Sequence, residues 1–291
     1  MQNQLLKTGG QRFDTAFGRP RNFLNNRFAY TVISQRARGL SLGVNLNPDQ
    51  HCTFDCVYCE VHRSQRRGGQ RVNIRVMSQE LRRLLDLVRD DKLRGLAAFR
   101  KLPRELLALK EVALSGDGEP TLCPNFAEVV GEVVKVRSRA ELPFFKIVLI
   151  TNTTGLYLPE VRRGLKQFNA KDEIWVKLEA GTQEYMNRVN RPNITLGEVM
   201  ANILLIGQER PVVIQSLFPL IDRQEPSPEE IEQYLHRLQE LKAGGAQIAM
   251  VQVYSAHRPP DHPHCGHLPL KSLSRIARQV REVTGLRAEV F

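Results

Sequence analysis

The chain has 291 residues, of which 42% are hydrophobic and 25% charged, an ordinary balance for a globular domain large enough to bury a core. No apolar run is long enough to span a membrane, and residues 1–10 lack the apolar core of a secretory signal, so a cytoplasmic location with no membrane partner is expected. The formal net charge of +11 favours polyanionic partners such as nucleic acid, with a solvated basic surface as the plainer reading.

Residues 1–39 read as a basic N-terminal extension, rich in Arg and Asn and weakly patterned. Arg12, Arg19, Arg21, Arg27, Arg36 and Arg38 stand against Asp14 alone, and Gly9-Gly10 and Arg19-Pro20 argue against one long helix. Such a segment either wraps the following domain or reaches toward substrate, with a disordered start as the plainer reading. From residue 40 to 291 the chain alternates strand and helix. A first strand over 40–46 is broken by Asn47-Pro48-Asp49. A cysteine-bearing loop follows, then a basic stretch over 62–75 centred on Gly68-Gly69. Ser78 is a candidate cap for a helix carrying Leu81, Leu84, Leu85 and Val88. A mixed, partly helical linker occupies 96–109. Further strands are expected over 111–114, 146–150, 173–178, 212–217 and 247–254. Between them lie a helix carrying Phe126, Val129, Val130, Val133 and Val134, and another opening at Pro159. Capping boxes at Thr195–Glu198 and Ser227–Glu230 open two more, and a last helix covers 272–283. Six strands alternating with helices imply a parallel sheet with right-handed crossovers, open or closed into a barrel. In either case chemistry belongs at the C-terminal ends of the strands.

Cys52-Thr53-Phe54-Asp55-Cys56-Val57-Tyr58-Cys59 sets three thiols at the spacing C-x3-C-x2-C. Iron–sulfur clusters take thiolates, normally four, so three leave one iron open for chemistry. A zinc site usually needs four ligands, often as two C-x2-C pairs, and one such pair is present. A non-catalytic, metal-stabilised nucleic-acid-binding protein therefore stands as an alternative. Five cysteines in a chain of this length do not read as a disulfide scaffold. The other notable polar groups fall one set per strand end and converge on one mouth. They are Gly118-Glu119-Pro120, Thr151-Asn152, Lys177 with Glu179, Ser216, and His257-Arg258. Gly118 lets backbone approach closely, and a carboxylate or carbonyl beside it accepts from an ammonium group. Lys177 suits an anion in the mouth or a salt bridge to Glu179. Tyr58 offers a face for stacking or supports its loop. Arg63, Arg66, Arg67, Arg71 and Arg75 match phosphate geometry or form a solvated loop. His257, His262, His264, Cys265 and His267 crowd a Pro-rich loop, read as polar rather than metal-binding, and Cys123 reads as structural.

The cysteine loop, with the glycine-rich segment downstream, resembles the radical S-adenosylmethionine (SAM) superfamily. Ser41-Leu42-Gly43-Val44-Asn45, Ser115-Gly116-Asp117-Gly118-Glu119-Pro120-Thr121-Leu122, Lys177-Leu178-Glu179-Ala180-Gly181, Asn190-Arg191-Pro192 and Arg258-Pro259-Pro260 resemble one branch of it. That branch is the iron–sulfur oxidoreductases related to the wyosine-forming tRNA enzymes. The resemblance covers roughly residues 40–291. It implies an α/β fold, a partial (β/α)6 radical SAM barrel with the N-terminal extension. It implies one [4Fe–4S] cluster on Cys52, Cys56 and Cys59, with the amino and carboxylate groups of SAM on the fourth iron. One electron then cleaves SAM to a 5′-deoxyadenosyl radical that takes hydrogen from a substrate. By the same resemblance Gly118 and Glu119 orient the SAM amino group, and Tyr58 lies near adenine. Thr151, Asn152, Lys177, Glu179 and Ser216 are candidates for its ribose and carboxylate. A flavodoxin or ferredoxin is the implied electron donor. An RNA or nucleotide is the expected substrate, with a peptide or small metabolite as the alternative. Wyosine enzymes carry a second cluster on cysteines upstream of the loop. Residues 1–51 contain none, so neither that cluster nor the pyruvate condensation is expected.

Overall fold

The computed structural model describes residues 23–61, 69–256 and 264–291. The β-branched and aromatic run Ala-Tyr-Thr-Val-Ile-Ser forms strand β1 (Ala29–Ser34). Its entry is pinned by Glu80, which accepts from the backbone N–H groups of Arg27, Phe28 and Ala29 at 2.9, 2.7 and 3.0 Å. A turn in which Arg38 adopts φ 54° reverses the chain into β2 (Gly39–Asn45), antiparallel to β1. The sheet therefore reaches back to residue 29, within the stretch read from sequence as an extension.

The expected alternation follows. In order come α1 (Ile74–Arg89), β3 (Leu109–Ser115), α2 (Phe126–Ser138), β4 (Lys146–Thr151), α3 (Pro159–Leu165) and β5 (Glu173–Lys177). Next are α4 (Gln183–Val189), α5 (Leu196–Glu209), β6 (Val212–Leu217), a short β7 (Pro219–Ile221) and α6 (Pro228–Ala243). The chain ends with β8 (Ile248–Tyr254), a short β9 (Cys265–His267), α7 (Leu270–Thr284) and β10 (Ala288–Val290). The main sheet has eight strands in the order β1-β2-β3-β4-β5-β6-β8-β10, parallel from β2 onward. All six strands expected from sequence belong to it. β7 and β9 pair separately. No helix among the described residues is long and apolar enough to cross a membrane.

The edges β1 and β10 do not pair, so the sheet is a partial barrel. An ion pair crosses the gap. Arg38 forms an ion pair with Glu289 on β10 at 2.7 Å. Arg36 lines the cavity instead, its guanidinium 4.7 Å from the ring centroid of Tyr254 on β8 and 5.8 Å from that of Trp175 on β5.

Two caps differ from expectation. Asn73, not Ser78, caps α1: its side chain accepts from Val76 N at 3.1 Å. Ser78 lies inside the helix and donates to Glu132 at 2.6 Å. The Thr195 capping box is complete. At α6, Ser227 accepts from Glu230 N at 3.2 Å, but the Glu230 carboxylate turns away to Gly181 N and Thr182 Oγ1. That half-formed box ties the helix to the loop after β5.

Loop docking positions the mouth. The Asn45 Oδ1 accepts from the backbone N–H of Asn47 and of Asp117, both at 3.1 Å, while its amide donates to Asp117. Glu119 N donates to the His51 carbonyl at 2.8 Å. Gly118 permits this approach, because a Cβ there would sit 1.9 Å from the same oxygen. Farther out, the buried Asp172 carboxylate accepts from Arg137 and from Ile147 N and Asn169 N, both at 2.8 Å.

Asp172→Ala strands the half-buried Arg137 charge and two backbone N–H donors and should cost about 3–5 kcal/mol, read by urea denaturation. Gly118→Ala forces the two loops apart and should cost about 1–3 kcal/mol, read as a lower Tm with helical circular dichroism retained.

Candidate active site

The cysteine loop follows β2 and is held from two sides. Asp55 N and Val57 N donate to the carbonyls of Asn190 and Val189 at 3.0 and 2.9 Å, which docks the loop on the end of α4. On the other side, the Asn152 amide, just past β4, donates to Thr53 Oγ1 at 3.0 Å and lies 3.7 Å from Cys52 Sγ. Phe54 N reaches the same sulfur at 3.5 Å, and the Asn190 amide reaches Cys56 Sγ at 3.5 Å. All three thiols face one cavity of about 480 Å³. It opens at the C-terminal ends of the strands and runs down to Ser41 on β2 and Glu111 on β3. Burial pushes the Cys56 thiol up to about 12, against the pull of the Lys177 charge. No disulfide links any of the five cysteines.

Of the expected cofactor contacts, Tyr58, Gly118, Glu119, Thr151, Asn152 and Lys177 lie on the cavity wall. Glu119 is largely committed to the protein. Its carboxylate accepts from Thr121 N and Oγ1 at 3.1 and 2.7 Å, from Thr151 Oγ1 at 2.5 Å and from Asn152 N at 2.7 Å. Burial raises its pKa above the usual carboxylate value, and these hydrogen bonds oppose the shift. Lys177 Nζ donates to Tyr58 Oη at 3.0 Å and lies 4.8 Å from the Tyr58 ring centroid. Tyr58 in turn donates to Glu179, which also accepts from the Asn190 amide at 2.5 Å. Lys177 and Glu179 stand 3.8 Å apart, so the ion-pair reading of Lys177 and its cavity-facing position hold together. Burial works against the Lys177 ammonium, yet Glu179 and the nearby thiols outweigh it and raise its pKa.

Glu179 and Ser216 are not on the wall. Glu179 sits behind Tyr58. Ser216 points outward, with its hydroxyl donating to the Leu178 carbonyl at 2.8 Å and bonded to the Tyr234 hydroxyl of α6. Its neighbours Gln215 and Leu217 face the cavity instead. Sequence reading passed over Gln215 and Glu111, although a polar side chain inside an apolar strand is a signal. Asn190, in the motif Asn190-Arg191-Pro192, holds Cys56 and Glu179, a role that no local sequence pattern shows.

Arg63, Arg66, Arg67, His257, Arg258 and His262 lie outside the described residues. Arg71 pairs with Glu128 on the surface at 2.7 Å. His264 stands 3.3 Å from Asp222. Cys265 is buried in β9 and Cys123 beside α2, their thiols each pushed up to about 11 by burial. Among the described residues no three His, Cys, Asp or Glu side chains gather around a single-ion site. The three loop thiols are spread along a cavity wall rather than closed on one point.

The sequence profile of the Radical SAM superfamily matches residues 46–235. UPF0026 protein slr1464 of Synechocystis is 28% identical over 183 residues, 62% of this chain and 59% of that protein. UPF0026 protein MJ1312 of Methanocaldococcus jannaschii is 28% identical over 165 residues, 57% of this chain and 44% of that one. The chain thus matches about half the length of these relatives. Among solved structures, TYW1 with a lysine–pyruvate adduct bound superposes with TM-score 0.52 at 15% identity, covering 84% of this chain and 74% of that one. SuiB of Streptococcus suis bound to SAM gives 0.52 at 13%, covering 88% and 49%. Spore photoproduct lyase complexed with a dinucleoside spore photoproduct gives 0.52 at 10%, covering 82% and 73%. These likenesses establish a shared fold. Because the profile spans well over half of the sequence and takes in the whole cysteine loop, the chain belongs to the radical SAM superfamily, enzymes that use a [4Fe–4S] cluster and SAM.

Proposed function

We propose that Cys52, Cys56 and Cys59 hold the [4Fe–4S] cluster and that the wall beside them holds SAM. The observation carrying this reading is the shared cavity onto which all three thiols open at the strand ends. The donor set fits the group. It is three soft ligands with N–H groups of Phe54, Asn152 and Asn190 aimed at two of the sulfurs, an arrangement that stabilises bound thiolate. Once bound, the cluster and SAM supply the one-electron chemistry that gives a 5′-deoxyadenosyl radical for hydrogen abstraction.

The chain's own residues bind and orient. Gly118 brings backbone close to the cavity. Since the Glu119 carboxylate is mostly taken, the SAM amino group falls to the carbonyls of that segment and the carboxylate's remaining lone pair. Lys177 offers its ammonium to the SAM carboxylate or to a substrate anion. Asn152 holds the cysteine loop from the wall, and Tyr58 gives the wall its aromatic face. Thr151, on the wall with its hydroxyl held by Glu119, fixes that carboxylate, and Glu179 and Ser216 act from behind as positioning residues.

For the substrate we favour an RNA or nucleotide, supported by the net charge and by the likeness to the wyosine-related branch. A one-electron donor such as a flavodoxin or ferredoxin completes the reaction. A reducing cytoplasm suits thiolate ligands.

Anaerobic reconstitution with iron and sulfide, then reduction with SAM, should yield 5′-deoxyadenosine. Cys56→Ala should assemble no intact cluster and lower that yield at least about a hundredfold. Full cleavage by this variant, or zinc in place of iron, would sink the assignment. If RNA is the substrate, transfer RNA should bind and its affinity should fall steeply with added salt in a gel-shift titration. Salt-insensitive or absent binding turns the search to peptides and metabolites.

A further inference from the structure

Beneath the cysteine loop the cavity continues down the barrel to residues that cofactor binding leaves unused. Two of them carry buried acceptors without a partner. Glu111, on β3, is 1% exposed. Its Oε1 accepts from Ser41 Oγ at 3.0 Å, while Oε2 has no hydrogen-bond partner. Gln215, on β6, is 0% exposed. Its amide donates to Gln252 Oε1 at 3.0 Å, while its own Oε1 has none. Both residues line the same cavity. Of the buried side-chain atoms left unpaired among the described residues, these two alone belong to residues of that wall.

An unpaired buried acceptor costs about 1–3 kcal/mol, and more for a charged group. A barrel that only had to fill its interior would place apolar side chains there, as it does at Val148 and Val213. Nearby cations offset the cost only in part, since burial keeps the Glu111 pKa raised against the pull of Lys146 and Arg36. Lys146 is engaged with Glu173 at 2.7 Å, and Arg36 lies over the rings of Tyr254 and Trp175. Both orphans are acceptors, which sets the polarity of what they lack. The cavity volume lies in the usual range for small-ligand sites.

We infer that the lower cavity is a substrate subsite for a nitrogen-bearing donor group, an amine, guanidine, amide or amino-substituted ring, whose N–H bonds are received by Glu111 Oε2 and Gln215 Oε1. The inference rests on SAM occupying the upper cavity beside the cysteines. Burial raises the Glu111 pKa, and an arriving donor favours the ionised carboxylate. A nucleobase with an amino edge and an amine-bearing metabolite present the same chemistry, and the test separates them.

The test uses the full chain, reconstituted anaerobically and saturated with SAM. Binding of guanosine 5′-monophosphate and of agmatine is followed by titration calorimetry. Glu111→Leu and Gln215→Leu each delete one acceptor at similar volume. At least one probe should bind the wild type, and each substitution should weaken it about tenfold. Binding of the nucleotide alone assigns the subsite to a base, and of agmatine alone to an amine. The inference falls if neither probe binds, or if variants that keep the cluster's visible absorbance bind the probe as tightly as the wild type. If the wild type assembles no cluster, the cofactor reading fails first and takes this one with it.

Discussion

One buried carboxylate holds the mouth of the barrel in shape. Glu119 stands in the loop after β3 and accepts from Thr121, Thr151 and Asn152, so it fastens that loop to the end of β4 and the loop beyond it. Asn152, fixed in this way, passes the constraint to Thr53 and Cys52. The backbone bond from Glu119 to His51 closes the circuit on the far side of the cysteine loop. Removing an ion from water is costly, and the four hydrogen bonds are what make the buried position tenable. The price in desolvation secures geometry: three thiols on one wall.

A second network does the same work on the opposite flank. Lys177, Tyr58, Glu179 and Asn190 are hydrogen-bonded in series, and Asn190 ends on Cys56. The two networks reach different sulfurs from different strands. The loop has little regular structure of its own, so its shape is borrowed from β3, β4, β5 and α4. This arrangement is in line with active sites in general, where loops carry the reactive groups and rigid elements set their positions.

Much of this was legible in the sequence. The run Val212–Leu217 is mostly apolar and lies between the end of α5 and a one-residue break at Phe218, and its limits are those expected from sequence. The cysteine spacing marked the candidate site without any need of geometry, and the structure sets all three thiols on one cavity. What escaped has physical causes. Strands buried on both faces show no alternation, so nothing in Val-Val-Ile-Gln-Ser-Leu says that Gln215 points inward and Ser216 outward. Strand β1 was hidden by its arginine-rich surroundings, although Thr31, Val32 and Ile33 are good strand formers. Ser78 and Asn73 are both sound caps, and local preference cannot choose between them when tertiary packing sets where the helix begins. The commitment of Glu119 to its own neighbours is a fact of three dimensions: a carboxylate beside a glycine reads equally as ligand or as clasp.

The seam between β1 and β10 differs in kind from every other join in the wall. Elsewhere neighbouring strands share ladders of backbone hydrogen bonds, which mobile ions scarcely affect. At the seam the wall is joined by the exposed Arg38–Glu289 pair. Charge–charge attraction between exposed groups weakens as the Debye length shortens. The barrel is thus anisotropic: stiff around most of its circumference and compliant along one line, where ionic strength acts directly. Any widening of the lumen for a bulky guest is concentrated at that line, since among the described strands it is the place where the wall can part without breaking a ladder.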